Sequence, residues 1–331
     1  MQQDILCVVD VEKQIAEGRT LLLAGEENLL RRLPKGQWIG GTIPYFITSS
    51  QGGTICQDKI FVTDISSMAA AVEIKIYDQN ALGRVYTDAE NSSFSFIILP
   101  ATSAAHAAFA LNGPNYKDFG SRPLVGWVSG VHLSNLGTIP PKVFVGASGS
   151  VYEQEAVVMH VTLPPGKTVD VGIINIFEQG DGDILTFAAD GFSCMEVMVN
   201  GVKENFADYI VRNNLDTKLP LVADYYGALV NISFQSVEPG GQVKFYAPVF
   251  TGIRYKHAKA VNDYAASFGV QLRESNLAAH NVVFSCNCIL NYLYSELEGR
   301  KTEPFVGPVT FGEIAYQLLN QTLVYLEVHD F

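Results

Sequence analysis

The sequence predicts an α+β fold, with two lobes of mostly antiparallel or mixed sheets and helices packed on their outer faces. Three observations carry that prediction. Strand-like segments far outnumber helical ones. Many of them are joined by hairpin chemistry, as at Pro164-Pro165-Gly166, Gly180-Asp181-Gly182-Asp183 and Asn200-Gly201. The 331 residues also exceed the usual content of a single core. A doubly wound parallel sheet requires regular alternation of strand and helix, which this chain lacks.

The elements follow in order. Glu26 to Leu33 has helical apolar spacing and stops at Pro34-Lys35-Gly36. Gln37 to Phe46 reads as a strand loosened by Gly40-Gly41, and Asp58 to Ile65 as another. Val72 to Tyr77 alternates Val72, Ile74 and Ile76 against Glu73 and Lys75, the period of a half-buried strand. Ser93 to Leu99 is a continuous apolar strand ending at Pro100. The Ala-rich stretch Thr102 to Leu111 is helical, and Leu124 to Val128 returns to strand.

Strands then dominate: Lys142 to Ala147, Ala156 to Leu163, Thr168 to Phe177, Ile184 to Ala188 and Cys194 to Val199. A short helix is expected over Lys203 to Asn213. Ala228 to Val237 and Gln242 to Pro248 form a hairpin across Glu238-Pro239-Gly240-Gly241. His257 to Phe268 is read as a helix with Ala258, Val261, Ala265 and Phe268 on one face. The chain closes with a strand over Val282 to Ser285, a helix over Ile289 to Leu297, and strands over Val309 to Ala315 and Leu323 to Val328. Helix, breaker and Gly-rich aromatic strand occur at Leu29 to Phe46 and again at Leu290 to Tyr316, an echo compatible with duplicated lobes or with coincidence. Small residues and turn chemistry at Gly146 to Ser150 place the lobes at residues 1–147 and 148–331.

Composition excludes several function classes. With 22 Lys and Arg against 34 Asp and Glu, the net charge is −12. No basic cluster exceeds a pair such as Arg31-Arg32, so neither nucleic acid nor an anionic lipid surface is an expected partner. The start, Met1-Gln2-Gln3-Asp4, lacks the basic region of a secretory signal, and no uncharged apolar run approaches the ~18 residues of a transmembrane helix. Five cysteines, an odd and sparse number, fit a reducing compartment. A soluble, cytoplasmic protein is expected.

The sharpest local feature is Ser285-Cys286-Asn287-Cys288. If the strand ends at Ser285, Asn287 becomes the N-cap of the next helix and Cys286 enters the positive field of its N-terminus, which favours thiolate. A buried, inert cysteine beside an ordinary cap is the alternative. Cys-x-Cys alone does not complete a zinc site; the nearest histidine is His280, and Cys7, Cys56 and Cys194 are scattered singly. Phe311-Gly312-Glu313-Ile314 places a carboxylate in a strand after a glycine that admits close backbone approach. Glu313 is then either a ligand selector or an edge-strand acid facing water. Asn320-Gln321-Thr322 reads first as a turn and second as a ligand contact. Gly40-Gly41-Thr42 lacks the context of a phosphate loop, Gly180 to Asp183 the spacing of a calcium loop, and the six histidines the i, i+4 pair of a zincin.

Val283-Phe284-Ser285-Cys286, Gly312-Glu313-Ile314 and Asn320-Gln321-Thr322-Leu323, in that order, resemble the C-terminal half of the FIST domain family. Trp38 to Thr42 is compatible with its N-terminal half. The resemblance implies a bacterial sensory input domain that binds a small ligand such as an amino acid; some relatives are haem-based gas sensors. The family's glycine and arginine after Phe-Ser-Cys are replaced here by Asn287-Cys288-Ile289, which leaves its carboxylate clamp unaccounted for. The chain ends at Phe331 without an output domain, so signalling is expected to run through a separate protein. The reading favours binding over catalysis, with Ser285, Cys286, Asn287, Gly312, Glu313 and Asn320 as ligand contacts and no metal or resident cofactor. An enzyme with a Cys286 thiolate and a haem sensor are the alternatives.

Overall fold

The computed structural model describes residues 3–89, 91–225, 227–274 and 281–330; His280 lies outside them. The fold is α+β, built on mostly antiparallel and mixed sheets. The continuous apolar strand expected over Ser93 to Leu99 runs Phe94–Pro100 and is buried at every residue. It pairs in parallel with Leu124–Ser129 and antiparallel with Ala156–Thr162, which pairs in turn with Ala71–Tyr77. Glu313–Ala315 and Gln317–Leu319 extend this sheet on its other side.

A second sheet runs in the order Lys167–Ile174, Leu323–Asp330, Val282–Cys288, Gly307–Thr310, Tyr45–Thr48 and Gly52–Ile55. It faces the first across a shared apolar core. Phe284 stacks on Trp127 at 5.7 Å and meets Phe96 edge-on at 5.3 Å. A third sheet contains Gln3–Leu6, Leu21–Gly25, Trp38–Thr42, Ile60–Asp64, Val143–Val145 and Ser150–Tyr152. Its strand Leu21–Gly25 obeys the period of two: Leu22 and Ala24 join the shared core, while Leu21 and Leu23 pack with Val8, Val11 and Ile15 of the helix Val8–Ala16. That helix covers the outer face of the sheet.

Backbone pairing crosses the 147/148 boundary at Phe94–Pro100 with Ala156–Thr162, at Leu124–Ser129 with Glu313–Ala315, and at Tyr45–Thr48 with Gly307–Thr310. The last of these joins the two echoing segments side by side. Residues 185–257, by contrast, form two sheets from their own strands, with Phe187, Phe206, Phe234, Phe245 and Tyr255 between them. Among the described residues, no helix is long and apolar enough to cross a membrane.

Several boundaries differ from the sequence reading. His257 ends the strand Tyr255–His257, and the helix runs Tyr264–Glu274, because Asp263 accepts the Ala266 N–H at 2.8 Å and caps it there. The strand expected to stop at Ser285 continues to Cys288, held by parallel pairing of Asn287 and Cys288 with Val309 and Thr310. Val309 to Ala315 is two strands in different sheets, Gly307–Thr310 and Glu313–Ala315, with the chain crossing between them at Phe311-Gly312.

Candidate functional site

The six residues singled out in the sequence do not share one face. In a strand, successive side chains point to opposite sides. Cys286 and Cys288 turn toward the core between the two large sheets, where the Cys286 thiol donates to the Gly126 carbonyl at 3.3 Å. Ser285 and Asn287 turn the other way. Ser285 donates to the Val306 carbonyl at 2.9 Å, and the Asn287 Oδ1 accepts from Asn291 at 3.0 Å.

Glu313 sits on the Cys286 side, at the point where the chain changes sheets. It is wholly buried rather than on an edge. Its Oε2 accepts the Thr322 hydroxyl at 2.9 Å and the Thr322 N–H at 3.3 Å, and the Cys288 thiol and Thr310 hydroxyl also face the carboxyl. Its Oε1 has no partner. Burial pushes the carboxyl up to about 8, against the downward pull of those donors, so Glu313 is largely protonated at neutral pH. Gly312 makes the crossing possible: a side chain there would press on Leu318 and Val128 at 3.0 and 3.1 Å.

Of the two readings of Cys286, this geometry fits the buried, inert cysteine and not the thiolate. The helix following the strand is Ile289–Tyr294, six residues with Cys288 at the N-cap and no side-chain cap, so Asn287 is not its N-cap. Burial, and then the Glu313 carboxyl, push the Cys286 thiol well up, and Cys288 is raised for the same reasons. A nucleophile needs the opposite environment. Among the described residues no three His, Cys, Asp or Glu side chains gather to hold a metal. His160 spends both ring nitrogens on Tyr77 and Ser95, at 2.9 and 2.7 Å, leaving none to serve as an axial ligand.

A second polar cluster lies on the Asn287 side. Asn291 donates to Asn287 and accepts the Tyr264 hydroxyl at 2.6 Å; Tyr264 in turn accepts from Gln321 at 3.3 Å. Gln321 holds a left-handed backbone (φ 49°) inside the Asn320-Gln321-Thr322 turn. It is fixed by the Ser233 hydroxyl at 2.6 Å and by its own donation to the Lys218 carbonyl at 2.9 Å. Asn320 accepts through its backbone carbonyl from Asn231 at 3.1 Å, while its Oδ1 is unpartnered. The turn is thus a buried joint between the large sheets and the 185–257 unit.

Tyr264 also borders a groove of about 740 Å³, which lies between the helix Tyr264–Glu274 and residues 294–302. This volume is in the range of small-molecule sites. Phe268, Leu272 and Tyr294 supply apolar surface; Arg273, Arg300 and Lys301 supply charge. Ser295 lines it as well, fully buried, with an Oγ that has no partner. None of the six residues expected to contact ligand lines the groove. Asn287 communicates with it through Asn291 and Tyr264. Sequence reasoning misses these residues because they come from separate segments, and because the helix bearing half of them starts at Tyr264 and not at His257. The signal within reach was Tyr264, Phe268 and Leu272, an i, i+4, i+8 apolar stripe ending beside Arg273.

No curated protein matches the chain. A family model described as "Family of unknown function (DUF6976)" matches residues 6–329. The protein belongs to that family.

Proposed function

We propose that this protein binds a small molecule in the groove between the helix Tyr264–Glu274 and residues 294–302. In this reading it acts as a sensory domain through a separate partner protein, as the FIST resemblance implies. The observation that carries the reading is the position of Tyr264. One side of this residue forms the wall of a groove of ligand size; its hydroxyl enters the buried Asn291–Asn287 and Gln321 network. An occupant that moves Tyr264 perturbs hydrogen bonds reaching the central strand Val282–Cys288 and the joint with the 185–257 unit. The Ser285 to Asn287 stretch and Asn320 then serve as the structural readout behind the site, with Glu313 on the opposite face of the strand. Five free cysteines fit a cytoplasmic setting for such a sensor.

The test is a thermal-shift screen with the amino acids and small organic acids on the wild type and on Ala266→Trp, whose exposed position borders the groove. Stabilisation of the wild type that is lost in the variant supports the reading. Stabilisation by no compound, or equal stabilisation of both proteins, overturns it.

A further inference from the structure

With the groove taken as the ligand site, the reading on which this inference rests, its lining also specifies the chemistry of the ligand. The charged lining consists of Asp263, Glu296, Arg273, Arg300 and Lys301. The two acids are already engaged. Asp263 caps the helix through the Ala266 N–H at 2.8 Å, and Glu296 pairs with Arg300 at 3.6 Å. Among the described residues, Arg273 and Lys301 have no carboxylate within 4.0 Å. They approach the groove from opposite walls, one on the helix and one on the 294–302 segment.

The Arg273 guanidinium reaches back over Gly269, one turn earlier on the same helix, where a Cβ would lie 3.3 Å from Nη1. Gly269 and Arg273 both line the groove. Unbalanced positive charge is uncommon ground on a chain of net charge −12, and a concave site concentrates its field. The remaining wall is apolar and aromatic: Tyr264 and Tyr294 meet edge-on at 5.9 Å, with Phe268 and Leu272 beside them.

We infer that the groove takes a small organic anion, whose carboxylate or phosphate lies between Arg273 and Lys301 and whose ring or apolar body rests on Tyr264 and Tyr294. Arginine matches either oxyanion with paired donors, and lysine adds a point charge. A neutral or cationic analogue of the same body loses this charge pairing.

Four probes of one size test this on the full chain: benzoate, phenyl phosphate, benzyl alcohol and benzylamine. At ten times its dissociation constant, a bound anion is expected to raise the unfolding midpoint by about 2 °C, and the neutral and cationic probes are expected to leave it unchanged. The ratio of benzoate to phenyl phosphate affinity assigns the head group as carboxylate or phosphate. Arg273→Gln and Lys301→Gln, both at exposed positions, are expected to weaken anion binding about tenfold or more without lowering the midpoint of the free protein. Benzylamine or benzyl alcohol binding as well as benzoate, with loss in Ala266→Trp, overturns the charge assignment and leaves the groove as a ligand site. Equal anion binding by Arg273→Gln, Lys301→Gln and the wild type also overturns it. Failure of these probes and of the amino-acid screen together removes both readings.

Discussion

Glu313→Gln isolates the most unusual electrostatic feature of the molecule. The carboxyl is completely buried and raised to about 8 from an ordinary 4.5. Below pH 4.5 the group is protonated in both the folded and the unfolded chain and contributes no pH dependence. Between 4.5 and 8 the unfolded chain releases a proton that the folded chain retains, so stability falls as pH rises. Above 8 both states are ionised and the full cost of the buried charge is present. The separation between the two values corresponds to about 5 kcal/mol of stability lost across that window. Glutamine keeps the shape and can accept from Thr322, but it does not ionise. Its amide faces the position of the unpartnered Oε1, which subtracts a pH-independent ~1–3 kcal/mol. The assay is urea unfolding followed by tryptophan fluorescence from pH 5 to 9, with Trp127 on the neighbouring strand as reporter. The wild type is expected to lose stability steeply above pH 5 relative to the variant, so that the two curves converge or cross by pH 9. Parallel curves over the whole range would refute the assignment of a buried, protonated Glu313.

The same packing makes four other outcomes measurable. Iodoacetamide on the native protein at pH 7.5 should modify exposed Cys7 and spare Cys286 and Cys288, read by peptide mass spectrometry; modification of Cys286 at a rate comparable to Cys7 contradicts its burial. His160 is held down to about 4 chiefly by burial, so its own contribution to stability should decline as pH falls from 6.5 to 4, by about 3 kcal/mol; the stability of His160→Gln relative to the wild type should rise by that amount over the same range in urea unfolding. Gly126→Ala should prevent folding, measured as loss of soluble protein and of a cooperative melt, because the added Cβ would overlap the Ile97 carbonyl oxygen. Tyr264→Phe should cost about 1–2 kcal/mol in urea unfolding by leaving Asn291 Oδ1 short of its donor; an unchanged midpoint would remove Tyr264 from the buried network.

Much of the architecture was legible because it rests on local patterns. The apolar run Phe94–Pro100 reports burial directly, and the hairpin at Glu238 to Gly241 reports its own turn, whereas the alternation of Ala71–Tyr77 marks the strand but not its buried face: Ile76 is exposed and Tyr77 buried. What failed depends on partners distant in sequence. Val282–Cys288 outlasts its apolar residues because Gly307–Thr310 pairs with its polar end. Phe311-Gly312 looks like the middle of one strand, yet it is where the chain leaves one sheet for another. Glu313 could not be assigned to edge or interior from strand position, since its burial is set by Trp127 and Leu319 on either side. The candidate residues stand out in the sequence because polar groups in apolar strands are costly unless satisfied. Their specialness is interior wiring, whereas the concave surface is assembled from 262–273 and 294–302.

The central claim is that ligand occupies the groove beside Tyr264 and not the Cys286–Glu313 crossing. Photolabelling with a diazirine-bearing benzoate, competed by excess benzoate and mapped by peptide mass spectrometry, addresses it most directly. Competable label confined to peptides covering 262–273 and 294–302 is the predicted result. Competable label on 282–288 or 311–315, or label that excess benzoate does not displace, would contradict it.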